Sequence, residues 1–133
     1  MATCLALAEQ WNKDSGPPIL LLFFDEEEIG LKGSKAYIKE YGFNHIKFLL
    51  NLELVGKGDH LIFWPIGKTP NLIQQNLEEI KNDTHFSLKH KFLFLPDFPL
   101  YFSDAHSFLQ AGFKDAITMT RIPANDFELA KKY

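Results

Sequence analysis

The chain has 133 residues, of which 46% are hydrophobic and 23% are charged. These proportions are typical of one globular domain over residues 1–133 and exclude a wholly disordered chain. A net charge of −3 without a basic cluster argues against a nucleic-acid binder. The single cysteine, Cys4, excludes a disulfide framework and a multi-cysteine metal site. The apolar runs are too short to span a membrane, and residues 1–11 lack the basic leader of a signal peptide, so we expect a cytoplasmic location by default.

Helices and apolar strands are predicted to alternate along the chain. Apolar residues at helical spacing predict a first helix that covers the core, and charges within residues 86–94 are typical of an edge strand that can run antiparallel. The alternation predicts an α/β fold, a three-layer α/β/α sandwich with a mainly parallel, mixed sheet. In chain order, the predicted elements are helix 1–11, strand 19–24, helix 35–41, strands 46–54 and 60–64, helix 69–82, edge strand 86–94, a short helix between 103 and 112, strand 116–120 and a helix from 125.

The apolar run 19–24 ends in four consecutive acids, residues 25–28, which are followed by Gly30 and Gly33. Six apolar residues without alternation predict a central strand buried on both faces, and α/β sheets bind ligands at the carboxyl ends of such strands. Carboxylates this close repel one another, and a divalent cation is the usual way to hold them ionised. The alternative is a solvated acidic loop in front of the next helix, and both interpretations stay open at this point.

Polar residues stand at two further places, one at the end of a predicted strand and one at the start of a predicted helix. Glu53 lies at the end of strand 46–54, and Asp104 and His106 lie at the start of the short helix that follows residues 98–102. Each has a structural alternative: Glu53 as a strand-end carboxylate, Asp104 as a helix cap and His106 as a partly exposed helix residue. The other histidines have no ligand spacing to one another.

Three segments carry a resemblance to a known family. Residues 23–34, FFDEEEIGLKGS, resemble the glutamate-pair motif of the zinc aminopeptidases related to bacterial leucyl aminopeptidase. Residues 51–56, NLELVG, resemble the next motif of that family. Ser103 and Asp104, with residues 108–112, resemble its serine-aspartate-histidine turn. The order and spacing agree, so the resemblance covers most of the chain.

The resemblance implies a metal-dependent exopeptidase that hydrolyses the N-terminal peptide bond of a peptide with a free N-terminus. Two zinc ions would activate a water molecule, Glu27 would be the catalytic general base, and Glu28 and Glu53 would each bind zinc. Asp104 and His106 would lie in the substrate pocket or behind the metal ligands.

The sequence also departs from the family pattern. Ala105 stands where relatives carry histidine, and a histidine-x-aspartate motif, a bridging aspartate and a final histidine are not found. We therefore expect the truncated, central portion of a zinc-exopeptidase catalytic domain, which lacks its N-terminal and C-terminal metal-ligand segments and is inactive alone. Two alternatives are a non-catalytic relative that acts as a binding or assembly module, and a relative of glutaminyl cyclase, which performs acyl transfer at one zinc.

Overall fold

The computed structural model describes residues 2–11, 16–66, 75, 79, 82, 92–94 and 103–126. None of the helices in these ranges is long and apolar enough to cross a membrane. Within the described ranges, the helices with defined bounds are α1 (Ala2–Gln10), α2 (Lys32–Tyr41) and α3 (Asp104–Gln110), and the strands are β1 (Leu49–Glu53), β2 (His60–Ile66), β3 (Phe92–Phe94) and β4 (Ala116–Ile122).

The four strands form one sheet in the order β1-β4-β2-β3. β1 pairs in parallel with β4, with Leu49 opposite Ala116 and Glu53 opposite Thr120, and β3 pairs in parallel with β2. The antiparallel step lies between β2 and β4, and not at the edge strand β3, where the sequence suggested it. Two of the three pairings are therefore parallel, and the predicted α/β fold with a mainly parallel, mixed sheet is confirmed.

An aromatic core joins α2, α3 and the sheet. Phe108 is fully buried, and its ring centroid lies 6.1 Å from that of Phe24 and 6.3 Å from those of Tyr37 and Phe113. Aromatic pairs at these separations stabilise a core beyond the area that they bury. Because α2 and α3 pack against each other and α3 also contacts β1, this core fixes the start of α3 relative to the end of β1.

The predicted strand 19–24 is wrong. Residues 17–27 have no regular secondary structure, and Ile19, Leu20 and Phe23 are exposed, whereas Leu22 and Phe24 pack on the core. An uninterrupted apolar run does not distinguish a segment covered on one face from one covered on both. This segment is covered on one face only, and it delivers the acidic residues to the site without pairing with the described strands.

Other expectations differ in their bounds or their burial. The first helix forms, but none of its residues is buried, so its predicted role as a cover of the core is wrong. α2 begins at Lys32 rather than residue 35, and β1 begins at Leu49 rather than residue 46. Most of the predicted helix 69–82, most of the segment 86–94 and the final helix beyond residue 126 lie outside the described residues.

Candidate active site

The acidic loop is folded back onto the start of α2 by backbone hydrogen bonds. The amide of Leu31 donates to the Glu27 carbonyl at 2.9 Å, and the amide of Gly33 donates to the Asp25 carbonyl at 3.1 Å. Glu26 and Leu31 adopt left-handed backbone angles, with φ of 55° and 59°, which costs roughly 1–2 kcal/mol per residue. The hydrogen bonds of the turn offset this strain. Main-chain contacts therefore position the loop in front of the helix.

β1 places a second carboxylate beside this loop. Glu53 is the last residue of β1 and is about half-buried. Burial raises its pKa, the charge of Glu27 raises it further, and a hydrogen bond with Asn51 opposes these effects. The side chain of Asn51 also donates to Thr118 Oγ1 on β4, at 3.3 Å. The pairing of β1 with β4 thus sets the position from which Glu53 faces Glu27.

The start of α3 supplies the third carboxyl group. Burial raises the pKa of Asp104, and a hydrogen bond with Ser34 partly lowers it. The pKa of Glu27 is raised by burial first, then by the charge of Asp104 and by that of Glu28. We name Glu27, Glu53 and Asp104 the carboxylate cluster. Burial raises the pKa of all three carboxyl groups, and neighbouring charges add to the shifts of Glu27 and Glu53.

Two buried hydroxyls lie behind the carboxylate cluster and join α2 to α3. Ser34 is fully buried, and its Oγ lies 2.5 Å from Ser107 Oγ and 3.2 Å from the Leu31 carbonyl, to which it donates. Ser107 Oγ donates to the Asp104 carbonyl at 2.6 Å. Asp104 Oδ1 and Ser103 Oγ are buried without a hydrogen-bond partner among the described residues. Ser34 and Ser107 therefore fix Asp104 through its backbone and one side-chain oxygen.

A cavity of about 660 Å³ opens beside the carboxylate cluster. Its volume falls within the range of small-ligand sites, about 300–1,000 Å³. Glu27 belongs both to the cluster and to the cavity wall, so a bound molecule would meet its carboxyl group directly. The lining residues are Glu27, Glu28, Gly30, Leu31, Lys35, His106 and Gln110.

The described residues contain suitable donors for zinc, but they do not complete a metal site. Glu28 and His106 line the cavity, and Glu53 faces Glu27. Carboxylate oxygen and imidazole nitrogen are both ordinary zinc ligands. No group of three or more histidine, cysteine, aspartate or glutamate residues in the described part of the chain is arranged to hold a metal ion.

A model of peptidase family M28 matches residues 1–132. The chain belongs to peptidase family M28. Searches of curated proteins and of solved structures gave no significant match. The predicted family and the predicted hydrolase class are therefore confirmed by the family match. Members of family M28 are typically metal-dependent. The position of this M28 chain's Glu27 in the cavity wall agrees with a hydrolytic site.

Lys35 and Gln110 also line the cavity of this M28 chain, and neither was expected there from the sequence. Lys35 follows Leu31 by four residues, and Gln110 follows His106 by four on α3. Residues four apart lie on one face of a helix. This spacing was the only sequence pattern that could have indicated Lys35 and Gln110 as cavity residues. The contact between Ser34 and Ser107 had no such signal, because it joins residues 73 positions apart.

Proposed function

We propose that this chain carries the water-activating part of a metal-dependent aminopeptidase. The reaction is hydrolysis of the N-terminal peptide bond of a peptide with a free amino terminus, and Glu27 is the general base. The observation that carries the proposal is the position of Glu27, which lies in the cavity wall and is flanked by Glu53 and Asp104. Membership of a peptidase family agrees with this chemistry.

The environment of Glu27 favours its role as a proton acceptor, because it raises the pKa of the carboxyl group. Burial and neighbouring carboxylates raise its pKa, and a carboxyl group with a raised pKa is a better base and a better acid near neutrality. Glu27 would take a proton from the attacking water and then deliver it to the amide nitrogen of the leaving peptide. Zinc, when bound, supplies a lowered pKa for water and polarisation of the scissile carbonyl.

The same proposal assigns two zinc ligands within the described residues. Glu28 and Glu53 would each supply carboxylate oxygens, and the remaining ligands would come from outside the described residues. Adjacent residues in a turn direct their side chains apart, which allows Glu27 to face the water while Glu28 binds zinc.

The test compares Glu27→Gln with the wild type in the full-length protein in the presence of zinc, because the chain alone is expected to be inactive. We expect turnover of an aminoacyl chromogenic substrate to fall by about 10²–10⁴-fold, with unchanged zinc content by elemental mass spectrometry. The matched control is Glu26→Gln, because Glu26 is exposed and pairs with Lys32 at 3.4 Å. We expect the control to retain wild-type turnover.

Three results would contradict the proposal. Loss of zinc from Glu27→Gln would indicate that Glu27 is the zinc ligand and Glu28 is the general base. Release of ammonia from a peptide with N-terminal glutamine, without loss of a residue, would favour the glutaminyl cyclase alternative. Peptide binding without any turnover by the full-length wild-type protein would favour the non-catalytic alternative.

A further inference from the structure

The cavity is lined by groups of opposite charge. Glu27 and Glu28 are acidic, whereas Lys35 and Gln110 contribute a cation and an amide. A peptide with both ends free carries a positive amino group and a negative carboxylate, which complement such a cavity. Binding of the peptide carboxylate by Lys35 requires that its ammonium group is available to a ligand and lies within the length of a peptide from Glu27.

Lys35 keeps hydrogen-bonding capacity for a ligand. Its Nζ donates to the Gly30 carbonyl at 2.8 Å, and an ammonium group has three donors. No described carboxylate lies within salt-bridge distance of it, whereas its neighbour Lys32 is paired with Glu26 at 3.4 Å. The bond to Gly30 therefore anchors the cation at the cavity without neutralising its charge.

The position of Lys35 in α2 is unfavourable for the helix itself. Lys35 is the fourth residue of α2, whose first turn contains no acidic residue. The N-terminal end of a helix favours negative charge, and a cation placed there loses about 0.3–1 kcal/mol. The positive end of the helix and the ammonium group act in the same direction, and both favour an anion in the cavity.

The turn also limits the distance between Lys35 and Glu27. The Gly30 amide donates to the Glu27 carbonyl at 3.1 Å, and the Gly30 carbonyl accepts from Lys35 Nζ at 2.8 Å. The ammonium group therefore lies on the order of 10 Å or less from the Glu27 backbone. An extended dipeptide or tripeptide spans roughly 7–11 Å, so the upper limit on this distance restricts a peptide held at both groups to these lengths.

We propose that the cavity binds dipeptides and tripeptides, and that Lys35 binds their C-terminal carboxylate. The orientation of the peptide rests on the proposed function, which places the free amino end near the acidic residues. Gln110 lies one helical turn after His106 and lines the same cavity, where its amide can bond a peptide group of the ligand. Lys35 is thus a specificity-determining residue that selects short substrates.

The test measures dissociation constants of the full chain for leucyl-leucine and for its C-terminal amide, by NMR titration, with hydrolysis of both measured in parallel. The amide has the same shape but lacks the negative charge. We expect the wild-type chain to bind the free carboxylate about fivefold more tightly, less so at high salt. Lys35→Gln should abolish the preference, Lys35→Arg should retain it, and the control Lys32→Gln should leave it unchanged.

Several outcomes would overturn the inference: equal affinity for the two ligands in the wild type, no binding of either, a preference that survives in Lys35→Gln, or an equal loss in Lys32→Gln. An equal loss in Lys32→Gln would indicate that the carboxylate responds to the overall positive charge at the start of α2 rather than to a contact with Lys35. Binding that prefers the carboxylate through Lys35, without hydrolysis by the full-length protein, would refute the aminopeptidase proposal and support the inference. Hydrolysis of both ligands without a carboxylate preference would refute the inference and support the aminopeptidase proposal.

Discussion

Replacing Gly33 by alanine tests whether the close approach of α2 positions the acidic loop. A Cβ atom at Gly33 would lie 2.5 Å from the carbonyl oxygen of Asp25 and 2.8 Å from its amide nitrogen. Both are backbone atoms, so no side-chain rotation relieves the contact. Because non-bonded atoms prefer separations of about 3.5 Å, the loop must move by roughly 1 Å.

The expected loss of stability is the balance of opposing effects. Alanine favours a helix over glycine by up to about 1 kcal/mol, and Gly33 is the second residue of α2. Overpacking costs about 1–3 kcal/mol, and weakening the 3.1 Å hydrogen bond from Gly33 to Asp25 adds about 0.5–1.5 kcal/mol. We expect Gly33→Ala to lower the free energy of unfolding by about 1–3 kcal/mol. Since Asp25 lies two residues before Glu27, turnover should fall as well.

Urea denaturation of Gly33→Ala and Gly56→Ala measures this effect. Gly56 is the matched control, because its added Cβ would have no atom within 4 Å and its φ is not positive. A Gly33→Ala chain as stable as the wild type or as Gly56→Ala would refute the reasoning. It would show that the contact with Asp25 does not outweigh the higher helix propensity of alanine.

Two further predictions concern the carboxylate cluster and the hydroxyls behind it. The pKa of Glu53 is raised above the ordinary value of 4.5, so the folded state binds its proton more tightly than the unfolded state does. Its stabilising contribution is present below pH 4.5 and is lost as the pH rises through the raised pKa. Glu53→Gln should therefore flatten the pH dependence of the free energy of unfolding and stabilise the chain at neutral pH; an unchanged urea midpoint at neutral pH would contradict this. Ser34→Ala removes the hydroxyl that contacts Ser107 Oγ and the carboxyl group of Asp104, so it should cost about 1–3 kcal/mol and raise the pKa of Asp104 in an NMR titration. A Ser34→Ala chain with an unshifted Asp104 would show that the hydroxyl does not reach that carboxyl group.

The sequence predicted the elements whose cues are local. β4, the short helix α3 and the end of β1 were predictable from apolar runs and turn residues, whereas a shared site for Glu27 and Glu53 was implied only by the family resemblance. The burial of residues 19–24 was not predictable, because coverage of one or both faces depends on distant neighbours. The pair of Ser34 and Ser107 was equally inaccessible, because each serine alone has the local pattern of an ordinary helix residue.

The place of β4 in the sheet has a consequence for the order of assembly. β1 and β2 are neighbours along the chain but not in the sheet, because β4 lies between them. Leu49 pairs with Ala116, so neither strand can form its observed pairing with β4 during synthesis until residues 116–122 have left the ribosome. Pairings of such long sequence separation form slowly, and the waiting strands are exposed to aggregation. Closure of the sheet therefore also brings Glu53 to its final place, so that fold and site are completed in a single late step.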